Sequence, residues 1–324
     1  MAPASRALGS HCAATLFAGD FPLFALVDGT IHRWAGTDRS ARAHSALLAA
    51  AVTADFEGLL TSGEDGRVCR TDGSGEPMEL AAVPRKWISC VASSPCGPVA
   101  FAAGRSVWLR DTSGSLRVLQ HSRGVSGIAF SPDGLRIAVA SYGGVTIHSI
   151  VGDTPPLELE WKGIYAGLAF SPDGRFLLAF MQEELLHGWR LEDARHFRMT
   201  GYPARIKDWA WGTGGRWLAT SGATSAIVWR FDGPDGPLGT TALEIGAPRG
   251  EVPVTAVACR PQRAELAIGY ADGALAVASI DDGEERLVRP AGGGAVTSVA
   301  WHNSGLRLAF GSERGECGVL DVPQ

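Results

Sequence analysis

The sequence predicts an all-β protein: eight successive units, each of four short antiparallel strands, following one another round a ring. Three observations predict it. A turn-and-strand segment recurs about every forty residues along all 324. A two-residue hairpin signal, most clearly Asp-Gly, falls in the middle of most recurrences. No stretch sustains the 3.6-residue apolar spacing of a helix.

The units follow in chain order. In the first, residues 12–27 are apolar but interrupted by Asp20 and Pro22, and no basic lead precedes them. They read as two strands before Asp28-Gly29, not as a signal or membrane helix. In the second, residues 52–58 precede a strand at 59–62 and the hairpin Asp65-Gly66. In the third, residues 91–97 (VASSPCG) precede 98–102, with the hairpin slot near residue 105. The fourth and fifth are the clearest copies. Residues 127–134 (GIAFSPDG) and 167–174 (GLAFSPDG) lie forty apart. Proline presets the second position of a type I turn there, and glycine tolerates its exit. Gly143-Gly144 and residue 184 hold their hairpin slots.

The sixth unit runs from residues 209–215 (WAWGTGG) through 216–221 to a slot at 225. The loop 232–239 (DGPDGPLG) then lengthens it without founding a domain. The seventh pairs 257–261 with 265–269 and Asp272-Gly273; the eighth pairs 299–305 with 306–311 and Arg314-Gly315. Slot intervals range from 37 (Gly29 to Gly66) to 48 (residue 225 to Gly273). Such two-faced sheets are stable only when stacked round an axis, so residues 1–324 are expected to form a single β-propeller domain. Eight blades fit best; the alternative is seven, with the irregular first unit outside the ring.

Composition narrows the function. A 45% hydrophobic and 19% charged chain is not disordered. Net charge −5 with scattered Lys and Arg lacks the basic stripe of a nucleic-acid binder. The six cysteines form no CxxC pair, which favours a reducing, cytoplasmic setting. No Gly-x-Ser-x-Gly elbow or P-loop is present. His11-Cys12 is the one tight His/Cys pair, too few ligands for zinc. No catalytic residue, metal or cofactor is expected.

The SPDG turns, the Asp-Gly hairpins and tryptophans about six residues beyond the hairpin slot (Trp34, Trp189, Trp229) resemble the WD-repeat (WD40) family over nearly the whole chain. The resemblance implies closure of the last blade by a strand from the N-terminus, near residues 4–11. It also implies a structural set of His, Ser or Thr, Asp and Trp in each blade. His44, Ser62 and Asp65 match it in the second unit, with Thr71 in the tryptophan slot. His121 and Ser141 match in the fourth, with Gly143 replacing aspartate.

By the same resemblance, partners bind the face carrying the loops into each inner strand and the hairpin turns. Three clusters there combine the Arg and aromatic residues that dominate interface energy: Arg85, Lys86 and Trp87; Trp161, Lys162 and Tyr165; Tyr202, Arg205 and Lys207. The slots just inside the other inner strands are small, such as Ser126-Gly127 and Thr297-Ser298, and read as a narrow channel lining. Lys207-Asp208 is charged instead, either a local ion pair or a polar anchor. The expected function is a non-enzymatic scaffold or adaptor whose partners are proteins, with no nucleic acid and no membrane. The alternative is an enzyme or small-molecule sensor with a site at the channel mouth.

Overall fold

The computed structural model describes residues 4–34, 39–247 and 249–323. These form eight four-stranded antiparallel sheets and a single 3-10 turn, Thr213–Gly215. The inner strands are Cys12–Ala18, Leu47–Val52, Cys90–Ser93, Val125–Phe130, Tyr165–Phe170, Trp209–Trp211, Val254–Cys259 and Val296–Trp301. Seven sheets run in simple sequence order from inner to outer strand. In the eighth, the outer strand is Ala4–Ala7, which pairs with Glu316–Asp321 in the register Ala4↔Val319 to Ala7↔Glu316. The N-terminal strand thus completes the last sheet, as the resemblance implied.

The described residues fall into two compact units. One comprises those within 1–27, 32–39 and 202–324, the other those of 28–31 and 40–201.

In the second of these units, central strands such as Gly58–Gly63 and Phe176–Met181 are buried at every position. Alternate side chains therefore enter two different cores. Leu60 and Val68 meet Val91 and Phe101 of the next sheet. Ala100 and Val107 meet Ile128 and Val139, and Val145 and Leu159 meet Leu168 and Leu177.

The first unit repeats this logic. Val228 and Ile245 pack on Val257 and Leu266, Leu275 and Val277 on Val299 and Phe310, and Cys317 and Ala309 on Cys12, Phe17 and Phe24. Each fully buried Leu, Val or Phe contributes about 1.5–3 kcal/mol. Outer strands are covered on one side only, as the exposed positions of Leu116–Gln120 show.

The turns follow from side-chain chemistry. In both SPDG copies the serine hydroxyl donates to the aspartate two residues on, Ser131 to Asp133 at 2.5 Å and Ser171 to Asp173 at 2.6 Å. The same hydroxyls accept the amides of Arg136 and Phe176, which start the next strand. At the other end of the strands, the hairpin glycine lies beneath the loop entering the next sheet. Gly66 (φ +75°) and Gly273 (φ +88°) are left-handed, and a Cβ there would overlap the carbonyl oxygens of Val83 and Gly292. The amides of Val83 and Gly292 bond back to Gly66 and Asp272, so no outward movement relieves the overlap.

Gly273→Ala should therefore destabilise the protein by about 2–4 kcal/mol, combining left-handed strain with the overlap. Gly9→Ala, at φ +87° with nothing within 4 Å of the added Cβ, should cost only about 1–2 kcal/mol. Urea denaturation of the two variants checks the difference.

Candidate interaction face

Six of the eight inner strands begin with a β-bulge: register shifts occur at Cys12/Ala14, Leu47/Ala49, Val125/Gly127, Tyr165/Gly167, Val254/Ala256 and Val296/Ser298. A bulge frees backbone groups from the ladder, and these need partners. In the first compact unit the partners come from the neighbouring sheet. Thr255 donates to Val296 O and Thr297 to Cys12 O, both at 2.6 Å. The amide of Thr15 donates to Ser298 Oγ at 2.9 Å.

Asp208 occupies the place of Ser298 in the sixth sheet. Its carboxylate accepts the amides of Trp209 (3.0 Å) and, from the seventh sheet, Val257 (2.8 Å). Lys207 is exposed, and among the described residues the two form no ion pair. A local ion pair does not describe the two residues, because the backbone of two sheets claims the carboxylate. Burial pushes the Asp208 carboxyl from its ordinary 3.8 up to about 6, against the lowering effect of the Val257 and Trp209 amides.

The hydrogen-bonded set differs from the sequence expectation. His44 does join Asp65 (3.2 Å), but its other nitrogen meets Thr61 (3.0 Å), not Ser62. Ser62 faces the opposite side of its strand and donates to Ile88 O. In the fourth sheet no such set forms, since His121 Nε2 is buried without a partner. The sixth sheet builds one with tyrosine in place of histidine. Trp229 Nε1 donates to Tyr202 Oη, which also bonds Thr220 Oγ1, each at 2.8 Å.

These packings sort the ten candidate residues. Tyr202 is 6% exposed and Tyr165 1%, with the Tyr165 hydroxyl donating to Trp161 O. Burial pushes the Tyr202 hydroxyl up to about 12. Trp161 stacks on the buried ring of His187 at 3.9 Å and 18°. Burial among these rings, with His196 and Arg198 adding to it, holds the His187 imidazole down to about 3, so it is neutral. Tyr165 and Tyr202 thus build the loops without facing solvent, and Trp161 and Asp208 are half-buried. Arg85, Lys86, Trp87 and Lys162 are exposed in one compact unit, Arg205 and Lys207 in the other.

The loop 83–89 shows how the fold presents such residues. Ile88 is buried and its carbonyl is tied to Ser62, while Lys86 N bonds Val83 O across a tight turn. Arg85 consequently takes φ +61°, a conformation costing a non-glycine residue about 1 kcal/mol. Trp87, between these anchors, is 66% exposed.

Sequence reasoning missed neighbouring residues of the same strand end. The third sheet's hairpin exposes Arg105. The loop into the fourth sheet exposes Arg123, which donates to Tyr142 O (2.7 Å) and lies 5.3 Å from the Tyr142 ring. Tyr142 itself is 55% exposed. Backbone bonds from His121 to Arg105 and from Val125 to Gly104 hold the two loops together. A polar cleft of about 560 Å³, walled by Tyr142, Thr146, His148 and Glu158, opens beside them.

A larger cleft of about 970 Å³ lies at the opposite strand end of the sixth and seventh sheets. Its lining balances Arg216, Arg230 and Arg263 against Glu244, Asp281 and Asp282. Among the described residues, no group of three His, Cys, Asp or Glu side chains is placed to hold a metal ion. No helix there is long and apolar enough to cross a membrane.

Residues 113–147 match the family model of the WD domain, G-beta repeat. The crystal structure of the C-terminal WD40 domain of Sif2 superposes with a TM-score of 0.74 at 14% identity, covering 100% of both chains. The chain has the β-propeller fold. Its eight sheets are the blades, which decides between the counts of eight and seven. The computationally designed Ika8 protein is similar with a TM-score of 0.76, 18% identity and 98% coverage of each chain. The β-propeller domain of Cps50 (Swd1) from Myceliophteria thermophila gives 0.66 at 16% identity, covering 86% of this chain and 96% of that one. At such identities the likeness shows the fold alone. No curated protein matches the sequence.

Asp208 makes the propeller's stability pH-dependent in a defined direction. A carboxyl whose value is higher when folded stabilises fully below its unfolded value near 3.8, and that contribution disappears as pH rises through 6. The stability of the wild type relative to Asp208→Asn should therefore fall by about 2 kcal/mol between pH 4.5 and pH 7. Paired urea titrations at the two pH values check this.

Proposed function

We propose that this propeller is a non-enzymatic scaffold or adaptor that holds proteins on the strand end carrying the hairpins and the loops into the inner strands. WD-repeat propellers generally mediate protein–protein interaction. The observation that carries the reading is Trp87, a large aromatic held in solvent by a loop with a buried anchor and a left-handed arginine. A loop fixed before binding loses little conformational entropy on association. Arg85, Lys86 and Lys162 complete that part of the face, and Arg205 and Lys207 supply polar contacts in the other compact unit. The free state of all six cysteines accords with a cytoplasmic protein.

The test is crosslinking and affinity purification of the intact protein from its own cell, in wild type and in a Trp87→Ala, Tyr142→Ala variant. Both side chains are exposed, so the variant should keep the wild-type melting temperature within about 2 °C. Stoichiometric protein partners should be recovered with the wild type and reduced at least tenfold with the variant. Undiminished recovery would exclude this face.

A further inference from the structure

We infer that the loop end of blades three and four is a docking site for a short acidic segment of a partner protein. This rests on reading that end as the contact face, and it names the chemistry the face selects. In these two blades the inner-strand loops 83–89 and 121–124 and the hairpins 104–105 and 142–143 carry Arg85, Lys86, Arg105 and Arg123. They carry no Asp or Glu at all.

The chain as a whole has net charge −5, so the four cations form a local excess of positive charge. Some arginines elsewhere are neutralised within their own blade: Arg67 by Glu79, Arg70 by Asp55, Arg136 by Asp133, Arg190 by Asp193. Arg85, Lys86, Arg105 and Arg123 have no carboxylate partner among the described residues. Arg123 is instead fixed by Tyr142, through the carbonyl and the face of the ring.

Positive charge here comes with exposed aromatic surface. Trp87 stands beside Arg85 and Lys86, and Tyr142 beside Arg123. An acidic peptide with interspersed apolar residues satisfies both features. Its carboxylates meet the guanidinium groups, which bind them in two-pronged fashion, and its apolar side chains cover the rings.

The neighbouring blades set the extent of the site. Glu64 lies on the hairpin of blade two, and Glu183 and Glu184 on that of blade five, all exposed. A long polyanion crossing the face meets these carboxylates; a segment kept to blades three and four avoids them, with Glu158 and Glu160 in the cleft beside Arg123 bounding it within blade four. This distinction favours a peptide over a nucleic-acid strand, whose binding grows with the number of phosphates neutralised.

Fluorescence anisotropy on the full-length protein tests the inference with three labelled probes. They are a fifteen-residue peptide of glutamates interspersed with Leu and Phe, the same peptide with lysine for glutamate, and a fifteen-nucleotide oligothymidylate. The acidic peptide should bind, and weaken at least fivefold between 50 and 200 mM NaCl. Arg105→Glu with Arg123→Glu should weaken it at least tenfold. Arg117→Glu with Arg195→Glu, the same charge change on the exposed outer strands Leu116–Gln120 and Arg195–Met199, should change it less than twofold. Absent binding of the acidic peptide, equal binding of the lysine peptide, tighter binding of the oligonucleotide, or equal loss in the two charge-reversed variants would each overturn it. If the acidic peptide fails while recovery of cellular partners still depends on Trp87 and Tyr142, the acidic assignment falls and the scaffold reading stands. If recovery is also unchanged, both fall.

Discussion

A sheet of four strands with apolar side chains on both faces has to be covered twice, and the sheet next in sequence supplies most of the cover. Phe176–Met181 has no solvent-facing side at all, and Gly58–Gly63 is the same. The packing residues therefore lie along the strands, and the loops at the strand ends are released from it. Large side chains can project from those loops without opening the core. Trp87 and Tyr142 do so, while Ile88, next to Trp87, is buried and keeps that loop's backbone in place.

Packing brings the inner strands close, and the bulges at their start leave polar groups that the strand ladder does not satisfy. Thr255, Thr297, Ser298 and Asp208 answer that need with four different pairings along one row. Three use hydroxyls; the fourth uses a carboxylate whose burial raises its proton affinity. Charge here is structural. Some exposed charges stand in compensated pairs, such as Arg67 with Glu79, whereas Arg85, Lys86, Arg105 and Arg123 on blades three and four gather at one strand end without a carboxylate partner among the described residues. The same fold confines one ionisable group by backbone amides and presents others freely, according to whether they lie on the strand or beyond its end.

Much of this was legible in the sequence, because turns depend on local chemistry. Ser131, Asp133 and Gly134 act within six residues of one another, and the hairpin glycines need only their own backbone conformation. The forty-residue interval then fixed eight sheets, and the spare strand near the N-terminus completed the last. Relations between distant residues were less legible. The family resemblance points to Ser62 as the partner of His44, whereas Thr61 holds that place, and a single residue along a strand reverses the face. Tyr202 replaces a histidine through its hydroxyl, a substitution visible only once Thr220 and Trp229 are beside it. Asp208 resembled an exposed charge because its acceptor role depends on the amide of Val257, forty-nine residues away. Arg105, Arg123 and Tyr142 escaped notice because each sits alone in its own turn, so the cluster exists only in three dimensions.

The pairing of Ala4–Ala7 with Glu316–Asp321 has a consequence for biosynthesis. The strand Ala4–Ala7 is made long before its partner Glu316–Asp321. During translation the nascent chain can stack blade upon blade, yet its leading segment waits with an open hydrogen-bonding edge until more than three hundred further residues have emerged. Local pairings assemble most of the sheets, and the eighth is finished by one pairing of long sequence separation, whose loop-closure cost is met only once Glu316–Asp321 has been made.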